Sequence, residues 1–193
     1  MSFPPSDSAL SLPLPGAAAT EGSPQASPLE EEVIGLFDQL RDRLLRYLHG
    51  FGLTAADAEE IVQEVFLALF EHLRRDKSRD NLRGWVFRVA HNLGLKQRAA
   101  ARRSSGGIRL VPDTEGWFVD PAPNPEDQAV RAQRQRRIAA VLRALPDSDR
   151  HCLFLRAEGL RYREIAKVLD VSLGAVAHSI ARSLARMSRA AER

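Results

Sequence analysis

Hydrophobic residues recur at helical spacing over most of the chain beyond residue 29. The first apolar stripe runs through Val33, Ile34, Phe37, Leu40, Leu44, Leu45 and Leu48. A second stripe extends from Ile61 to Leu73, and a third from Leu82 to Leu93. Because residues three and four apart share one face of a helix, the pattern predicts three amphipathic helices. Gly50 and Gly52 end the first of them.

Residues 158–187 have the pattern of two short helices separated by a break. The first stripe consists of Tyr162, Ile165, Ala166 and Leu169, and the second of Val176, Ile180 and Leu184. Ser172 is a good N-cap for the second helix, because its hydroxyl can accept from a free backbone amide. Together with the basic residues that follow, this spacing predicts a helix-turn-helix. An ordinary helical hairpin with a solvated arginine face is the alternative.

Local signals also mark other boundaries of the predicted helices. Thr54 and Asp57 have the spacing of a capping box at the start of the second helix. A further helix through Ile138 stops at Pro146, and residues 147–149 (Asp-Ser-Asp) supply a cap and acidic groups for the next helix start.

The fold class predicted from these patterns is all-α, with two small helical domains joined by an acidic flexible linker. Residues 1–29 are rich in Pro, Ser, Ala and Gly and are interpreted as a disordered leader. The predicted domains span 30–103 and 130–193, the second being the helix-turn-helix. Residues 104–129, with a Gly-Gly pair, prolines and acidic residues, form the linker between them.

Charge is distributed unevenly, although the net charge is only +3. Residues 31–73 hold three basic and nine acidic residues, whereas residues 74–103 hold ten basic and two acidic ones. Residues 131–193 hold fourteen basic and six acidic residues. The two basic blocks are suited to polyanions, which the acidic block would repel.

The third predicted helix carries the basic face best suited to nucleic acid. Phe87, Arg88, His91, Asn92 and Arg98 lie off its apolar stripe. Cations bind phosphates and flat groups stack on bases, so Phe87 is the candidate for base stacking. Trp85 lies on the apolar stripe and is interpreted as a core residue.

Composition argues against several classes of function. The chain has no phosphate-binding glycine loop and no nucleophile elbow, and its five histidines and single cysteine lack metal-ligand spacing. We therefore expect neither an enzyme, nor a cofactor, nor a metal site. No secretory signal or membrane-spanning apolar run is evident, and a lone Cys152, interpreted as a small core residue, is typical of a reducing cytoplasm.

Three segments together resemble the sigma factors of bacterial RNA polymerase, in the extracytoplasmic-function group. Residues 57–70 (DAEEIVQEVFLALF) are similar to the polymerase-binding helix of that family. Residues 81–92 (NLRGWVFRVAHN) resemble its promoter-melting helix, and residues 144–176 resemble its upstream-element reader. The three segments occur in the family order, with an acidic linker after the second.

The resemblance implies partners and site residues. The partners would be core RNA polymerase, through its beta-prime and beta subunits, and promoter DNA, both duplex and single-stranded; an anti-sigma factor would be a further partner. The polymerase-binding residues would be Asp57, Glu60, Gln63 and Glu64. The residues for the downstream promoter element and strand melting would be Arg74, Arg75, Lys77, Arg79, Asn81, Phe87, Arg88, His91, Asn92 and Arg98. Those for the upstream element would be Ser172, Ala175, His178, Ser179, Arg182 and Arg186.

The recognition helix departs from the family pattern. Where the family often has Gly-Thr-Val-Lys-Ser-Arg, residues 174–179 read Gly-Ala-Val-Ala-His-Ser. Base readout would then fall on His178 and Ser179, whereas guanine contacts usually come from Arg or Lys. The sequence therefore predicts weak discrimination at the upstream element.

Two other functions stay open at this stage. One is a stand-alone regulator that binds duplex DNA through the C-terminal domain. The other is a sigma-like adaptor that binds polymerase or another protein without reading a promoter. An acidic face in residues 57–71 beside a basic face in residues 74–103 favours the sigma factor.

Overall fold

The computed structural model describes residues 27–104 and 125–192, and all regular structure in these ranges is helical. The helices are α1 (Pro28–His49), α2 (Ala55–Arg74), α3 (Leu82–Ser104), α4 (Pro125–Ala144), α5 (Asp147–Ala157), α6 (Tyr162–Leu169) and α7 (Leu173–Ala191). The all-α prediction is confirmed. The predicted leader and most of the predicted linker lie outside the described residues, although α4 already begins within the predicted linker. A proline suits its first position because the fixed φ is helical and the missing N–H has no partner there.

Capping chemistry sets the starts of three helices. Ser27 and Glu30 form a capping box at α1, and Thr54 and Asp57 form another at α2. The Ser172 hydroxyl accepts from the backbone N–H three residues further on, at the start of α7. The predicted box at Thr54 and the predicted cap at Ser172 are both confirmed.

The start of α5 differs from the prediction. Its N-cap residue is Pro146, which makes no side-chain cap hydrogen bond. Asp147 and Asp149 instead form ion pairs with arginines from other turns and other helices. The two carboxylates therefore act in tertiary structure rather than as caps.

Helices α1, α2 and α3 enclose the core of the N-terminal domain. Its most deeply buried side chains include Leu44, Tyr47, Leu48, Phe51, Val65, Leu69, Leu73, Val86 and Phe87. Two of the predicted stripes, from α1 and α2, account for much of this list. Phe87 does not belong to a predicted stripe, and its position is treated below.

The C-terminal domain consists of α4–α7, and α6 and α7 form the predicted helix-turn-helix. The chain turns through 106° between them, and Asp170 at the turn has a left-handed φ of 55°. The inward face of α7 is formed by Val176, Ser179, Ile180 and Ser183. Leu184, predicted to face inward, is instead 50% exposed. Steps of four residues drift about 40° around a helix with 3.6 residues per turn, so Leu184 leaves the face that Ser183 keeps.

The two domains pack against each other through α6, which lies against α3, and through both ends of α5. At the first turn of α5, Asp147 Oδ2 accepts from Arg98 Nη2 of α3 at 2.8 Å. At the end of α5, the Glu158 carboxylate accepts from Nε and Nη2 of Arg46 at 3.1 and 3.0 Å. Arg83 Nη2 donates to the backbone oxygen of Glu158 at 2.6 Å. Both ends of α5 are thus tied to the N-terminal domain.

Gly50 allows a close approach between the domains. A Cβ atom built at Gly50 would collide with the ring of Phe154, which is 1% exposed in α5. The φ of Gly50 is an ordinary −60°, so the position requires glycine for space and not for backbone conformation. This contact lies between the two ion-paired ends of α5.

Within the described residues, no single helix is long and apolar enough to cross a membrane. Only α6 and α7 taken together have that length and composition, and the chain is bent by 106° between them.

Candidate nucleic-acid and polymerase interfaces

The outer face of α2 is acidic and accessible. Glu60, Gln63 and Glu64 are exposed, and the next residue on the same face, Leu67, is 69% exposed. These four positions follow the i, i+3, i+4, i+7 spacing of one helix face. Leu67 was not predicted as part of this face, although an apolar residue that lies off the core stripe is a signal visible in the sequence. The face offers charge at one end and an apolar contact at the other.

Asp57 differs from the other acidic residues of α2. Its Oδ2 accepts from the Thr54 hydroxyl at 2.6 Å, and its Oδ1 accepts from Gln97 Nε2 of α3 at 2.9 Å. The hydrogen bonds from Thr54 and then Gln97 lower the pKa of Asp57. The carboxylate is therefore occupied by the start of α2 and by its packing on α3.

The loop between α2 and α3 places its cations on the surface. Arg74, Arg75, Lys77, Arg79 and Asn81 are all exposed. The Asn81 side chain also accepts from the backbone N–H of Gly84 at 3.2 Å, at the start of α3. Most of this predicted set is accessible to a polyanion, and Asn81 also has a structural role.

Phe87 is not available for base stacking in this structure. Its side chain is 0% exposed, and its ring packs edge-on against Tyr47 of α1 at 5.7 Å between centroids. The expectation that Phe87 stacks on bases is wrong here, because α3 is covered on two sides. One side packs on α1 and α2, and another faces the C-terminal domain.

His91 and Arg98 lie on the second covered side of α3. His91 is 7% exposed and its Nδ1 lies 2.8 Å from the Tyr47 hydroxyl, while Arg98 is 5% exposed and paired with Asp147. The predicted common face of Phe87, Arg88, His91 and Asn92 is therefore split. In this arrangement His91 and Arg98 cannot reach a nucleic acid.

The exposed edge of α3 is a different set of residues. Arg88, Asn92 and Lys96 are exposed at successive steps of four residues. Lys96 is not among the residues predicted from the sequence. The loop cations and this edge together form a basic surface on the N-terminal domain, which we call the α3 edge surface.

Two of the predicted DNA-contacting residues of α7 are hydrogen-bonded to Asp149 of α5. The Ser179 hydroxyl donates to Asp149 Oδ1 at 2.8 Å, and Ser179 is 7% exposed. Arg182 Nε and Nη2 donate to both Asp149 oxygens at 2.6–3.1 Å. Burial would raise the pKa of Asp149, but the hydrogen bonds from Arg182 and Ser179 outweigh it and lower that pKa. Ser179 is therefore not accessible to bases in this arrangement, contrary to the prediction. Arg182 is held in an ion pair with Asp149.

The remaining predicted residues of α7 are accessible. Ala175, His178 and Arg186 are exposed, and Ser172 is exposed while it caps the helix. Ala175 and His178 also line a cleft of about 530 Å³ between α3, α5, α6 and α7. On the exposed surface of this helix, His178 is the polar group closest to its start.

Within residues 27–104 and 125–192, no group of three or more His, Cys, Asp or Glu side chains is placed to hold a metal ion. Cys152 is a free thiol, 3% exposed, in the position of a small core residue.

Comparison with known families supports the order of the two domains. Residues 36–104 match sigma-70 region 2, and residues 135–187 match sigma-70 region 4. The first match covers most of α1 to α3, and the second covers the helix-turn-helix with α5 and part of α4.

Curated relatives are similar to the chain over most of its length. It is 31% identical to the ECF RNA polymerase sigma factor SigE of Mycolicibacterium smegmatis, over 83% of this chain and 61% of that protein. It is 29% identical to the RNA polymerase sigma factor CnrH of Cupriavidus metallidurans, over 75% of this chain and 78% of the relative. The chain thus spans about three fifths of SigE.

A solved structure shares the fold. CnrH in complex with the cytosolic domain of CnrY aligns with a TM-score of 0.57 and 24% sequence identity, over 82% of this chain and 86% of that chain. The sigma factor RpoE of Bartonella quintana, in complex with the anti-sigma factor NepR, aligns with a TM-score of 0.55 and 19% identity. It covers 82% of this chain and 97% of RpoE.

Proposed function

Because the chain belongs to the sigma-70 family, in its extracytoplasmic-function group, we propose that it is a cytoplasmic, non-enzymatic initiation factor. It binds core RNA polymerase, directs it to promoters and assists DNA opening. The observation that carries this proposal is the pair of opposite surfaces on the N-terminal domain. An acidic α2 face lies beside the basic α3 edge surface, and a helix-turn-helix follows.

The polymerase-binding surface is Glu60, Gln63, Glu64 and Leu67. A basic partner helix would pair with the carboxylates, while the exposed leucine supplies apolar area at the same face. Asp57 belongs to the cap of α2 and has no direct place in this surface.

The promoter-contacting surfaces are narrower than the sequence predicted. For the downstream element they comprise the loop cations with Arg88, Asn92 and Lys96. For the upstream element they comprise His178 and Arg186, with Ser172 and Ala175 at the start of α7. Phosphate contacts of this kind supply affinity, whereas sequence readout needs donors at base edges, of which α7 exposes few.

An anti-sigma factor is a further proposed partner. The structures of CnrH and RpoE that share this fold were determined with CnrY and the anti-sigma factor NepR, respectively. For this chain, such a partner would bind the arrangement in which the two domains are packed together. Co-purification from the native host would test this assignment.

Run-off transcription tests the main proposal. Core polymerase is incubated with a genomic promoter pool, with and without the chain, and new transcripts are mapped. The variant Glu60→Lys with Glu64→Lys should lose co-purification with core polymerase by tenfold or more, because two carboxylates are replaced by cations.

The matched control reverses two exposed acids of α1, Glu31→Lys with Asp38→Lys. It changes the net charge equally and should bind core polymerase as the parent does. Equal binding by both double variants would remove α2 from the polymerase interface. Promoter binding without core polymerase would favour the stand-alone regulator instead.

A further inference from the structure

A cluster of aromatic rings lies at the centre of the contact between the two domains. The ring of His151 from α5 stacks on Phe51 at 4.4 Å between centroids, with an interplanar angle of 18°. The ring of His91 from α3 meets His151 edge-on at 5.1 Å. The two histidines are 7% and 5% exposed. One imidazole from each domain is therefore buried in the same contact.

Both rings are placed as neutral groups. His91 Nδ1 lies 2.8 Å from the hydroxyl of Tyr47, whereas Nε2 of His151 has no hydrogen-bond partner among the described residues. A neutral imidazole can leave one nitrogen as an unpaired acceptor at modest cost. A protonated imidazole carries two donors and a charge, which are costly to bury without partners.

The charged groups around the pair oppose a further positive charge. Arg98 of α3 and Arg150 of α5 are buried beside it, at 5% and 1% exposure. Asp147 is the one acidic group among those acting on His151, and its carboxylate already pairs with both arginines. The other titratable groups facing the cluster are the following: Tyr47 of α1, Cys152 of α5 and, along the adjoining cleft, Asp149, His178 and Arg182.

We propose that His91 and His151 form a pH-sensitive latch that holds the two domains together when neutral and releases them when protonated. Opening exposes both rings and frees the side of α3 that α5 and α6 cover, including Arg98. If the proposed promoter function holds, acidification would also make that side of α3 available to DNA; the latch itself does not depend on that function.

The direction of the pH effect follows from burial. Burial lowers the pKa of His91 to about 4, and burial followed by the charges of His91 and Arg150 lowers that of His151 to about 3. A solvated histidine has a pKa of about 6.5. Docking is therefore fully favoured above about pH 6.5 and weakens as the pH falls below it, because only the undocked rings take up protons. Protonation of each ring should lower the docking constant about tenfold between pH 7.5 and 5.5.

Energy transfer in the full-length free chain measures docking directly. Dyes are attached at Gln39→Cys and Ser188→Cys, two exposed positions in different domains, while Cys152 is buried. The docking constant is measured at constant ionic strength in a series of urea concentrations that leave both domains folded, then extrapolated to water. We expect it to fall about a hundredfold from pH 7.5 to 5.5.

Substitutions assign the effect to the two rings. His151→Phe keeps an aromatic ring against Phe51 but cannot be protonated, and His91→Gln keeps a polar group near Tyr47. Each should reduce the pH dependence to about tenfold, and the double variant should nearly abolish it. The control His72→Gln changes a histidine that contacts Trp85 and Ser78 within the N-terminal domain, and should behave as the parent.

Three results would overturn the latch. One is a parent docking constant that does not change with pH, and another is a pH dependence as steep in His151→Phe as in the parent. The third result applies if the variants do not dock at any pH. In that case the two histidines of the parent are titrated by NMR, and the latch is wrong if both rings titrate near pH 6.5 while the domains are docked. None of these measurements uses polymerase or DNA, so the proposed function is tested separately.

Discussion

Helices α2 and α3 are neighbours in one domain and both are amphipathic, yet they differ in how many sides are covered. Only the inner side of α2 is buried, so Glu60 and Glu64 are free on its outer face. Two sides of α3 are buried, one in its own domain and one against α6 and α5. Polar residues off an apolar stripe are therefore exposed in α2, but in α3 some of them form a domain interface.

The test with the largest expected effect compares two adjacent residues of α3. Phe87→Ala should lower the free energy of unfolding by about 3–5 kcal/mol, because it leaves a cavity beside Tyr47. Arg88→Ala, on the exposed edge, should change it by less than about 0.5 kcal/mol and instead reduce promoter opening. Chemical denaturation and permanganate footprinting measure the two effects. If Phe87→Ala were as stable as the parent, the two-sided burial of α3 would be wrong.

The second test adds one methyl group to the domain contact. Gly50→Ala should weaken docking of the domains by about 1–3 kcal/mol, because the new Cβ meets the Phe154 ring. Energy transfer between the domains would report the loss. Gly35→Ala in α1 is the matched control, since a Cβ there meets nothing within 4 Å and alanine favours the helix. Equal docking in both variants would contradict the contact.

The test with the smallest expected effect compares two acidic residues of α2, Asp57 and Glu60. Asp57→Ala should destabilise the N-terminal domain by about 1 kcal/mol through loss of the capping box, whereas Glu60→Ala should not. The pKa of Asp57 is lowered in the folded chain, so its contribution is present above the unfolded value of about 3.9 and is lost as the pH falls through the folded pKa. Thermal unfolding at pH 7 and at pH 2.5 should show a larger difference between Asp57→Ala and the parent at the higher pH.

What the sequence predicted correctly depends on local chemistry. The capping box at Thr54 and the cap at Ser172 involve residues three positions apart, so the spacing alone identifies them. The stripe from Ile61 to Leu73 faces the core because residues of α1 and α3 close over it. Helix number, order and the helix-turn-helix follow from such patterns.

What the sequence could not predict depends on packing between distant segments. His91 and Arg98 are polar and looked solvated, but their partners Tyr47 and Asp147 come from another helix and another domain. Ser179 is buried against α5, where its hydroxyl donates a hydrogen bond to Asp149, 30 residues away in sequence. Periodicity records which residues share a face, but not what covers that face.

The ion pair between Asp149 and Arg182 also has a consequence for the salt dependence of duplex binding. A guanidinium whose charge is balanced by a carboxylate displaces few of the cations condensed on DNA. Among the arginines of α7, Arg186 and Arg189 are left to neutralise phosphates, so α7 contributes roughly −2 to the slope in a plot of log affinity against log salt concentration. Arg182 then orients the helix surface that approaches the groove, and the share of released ions that comes from α7 is set by the two arginines beyond it.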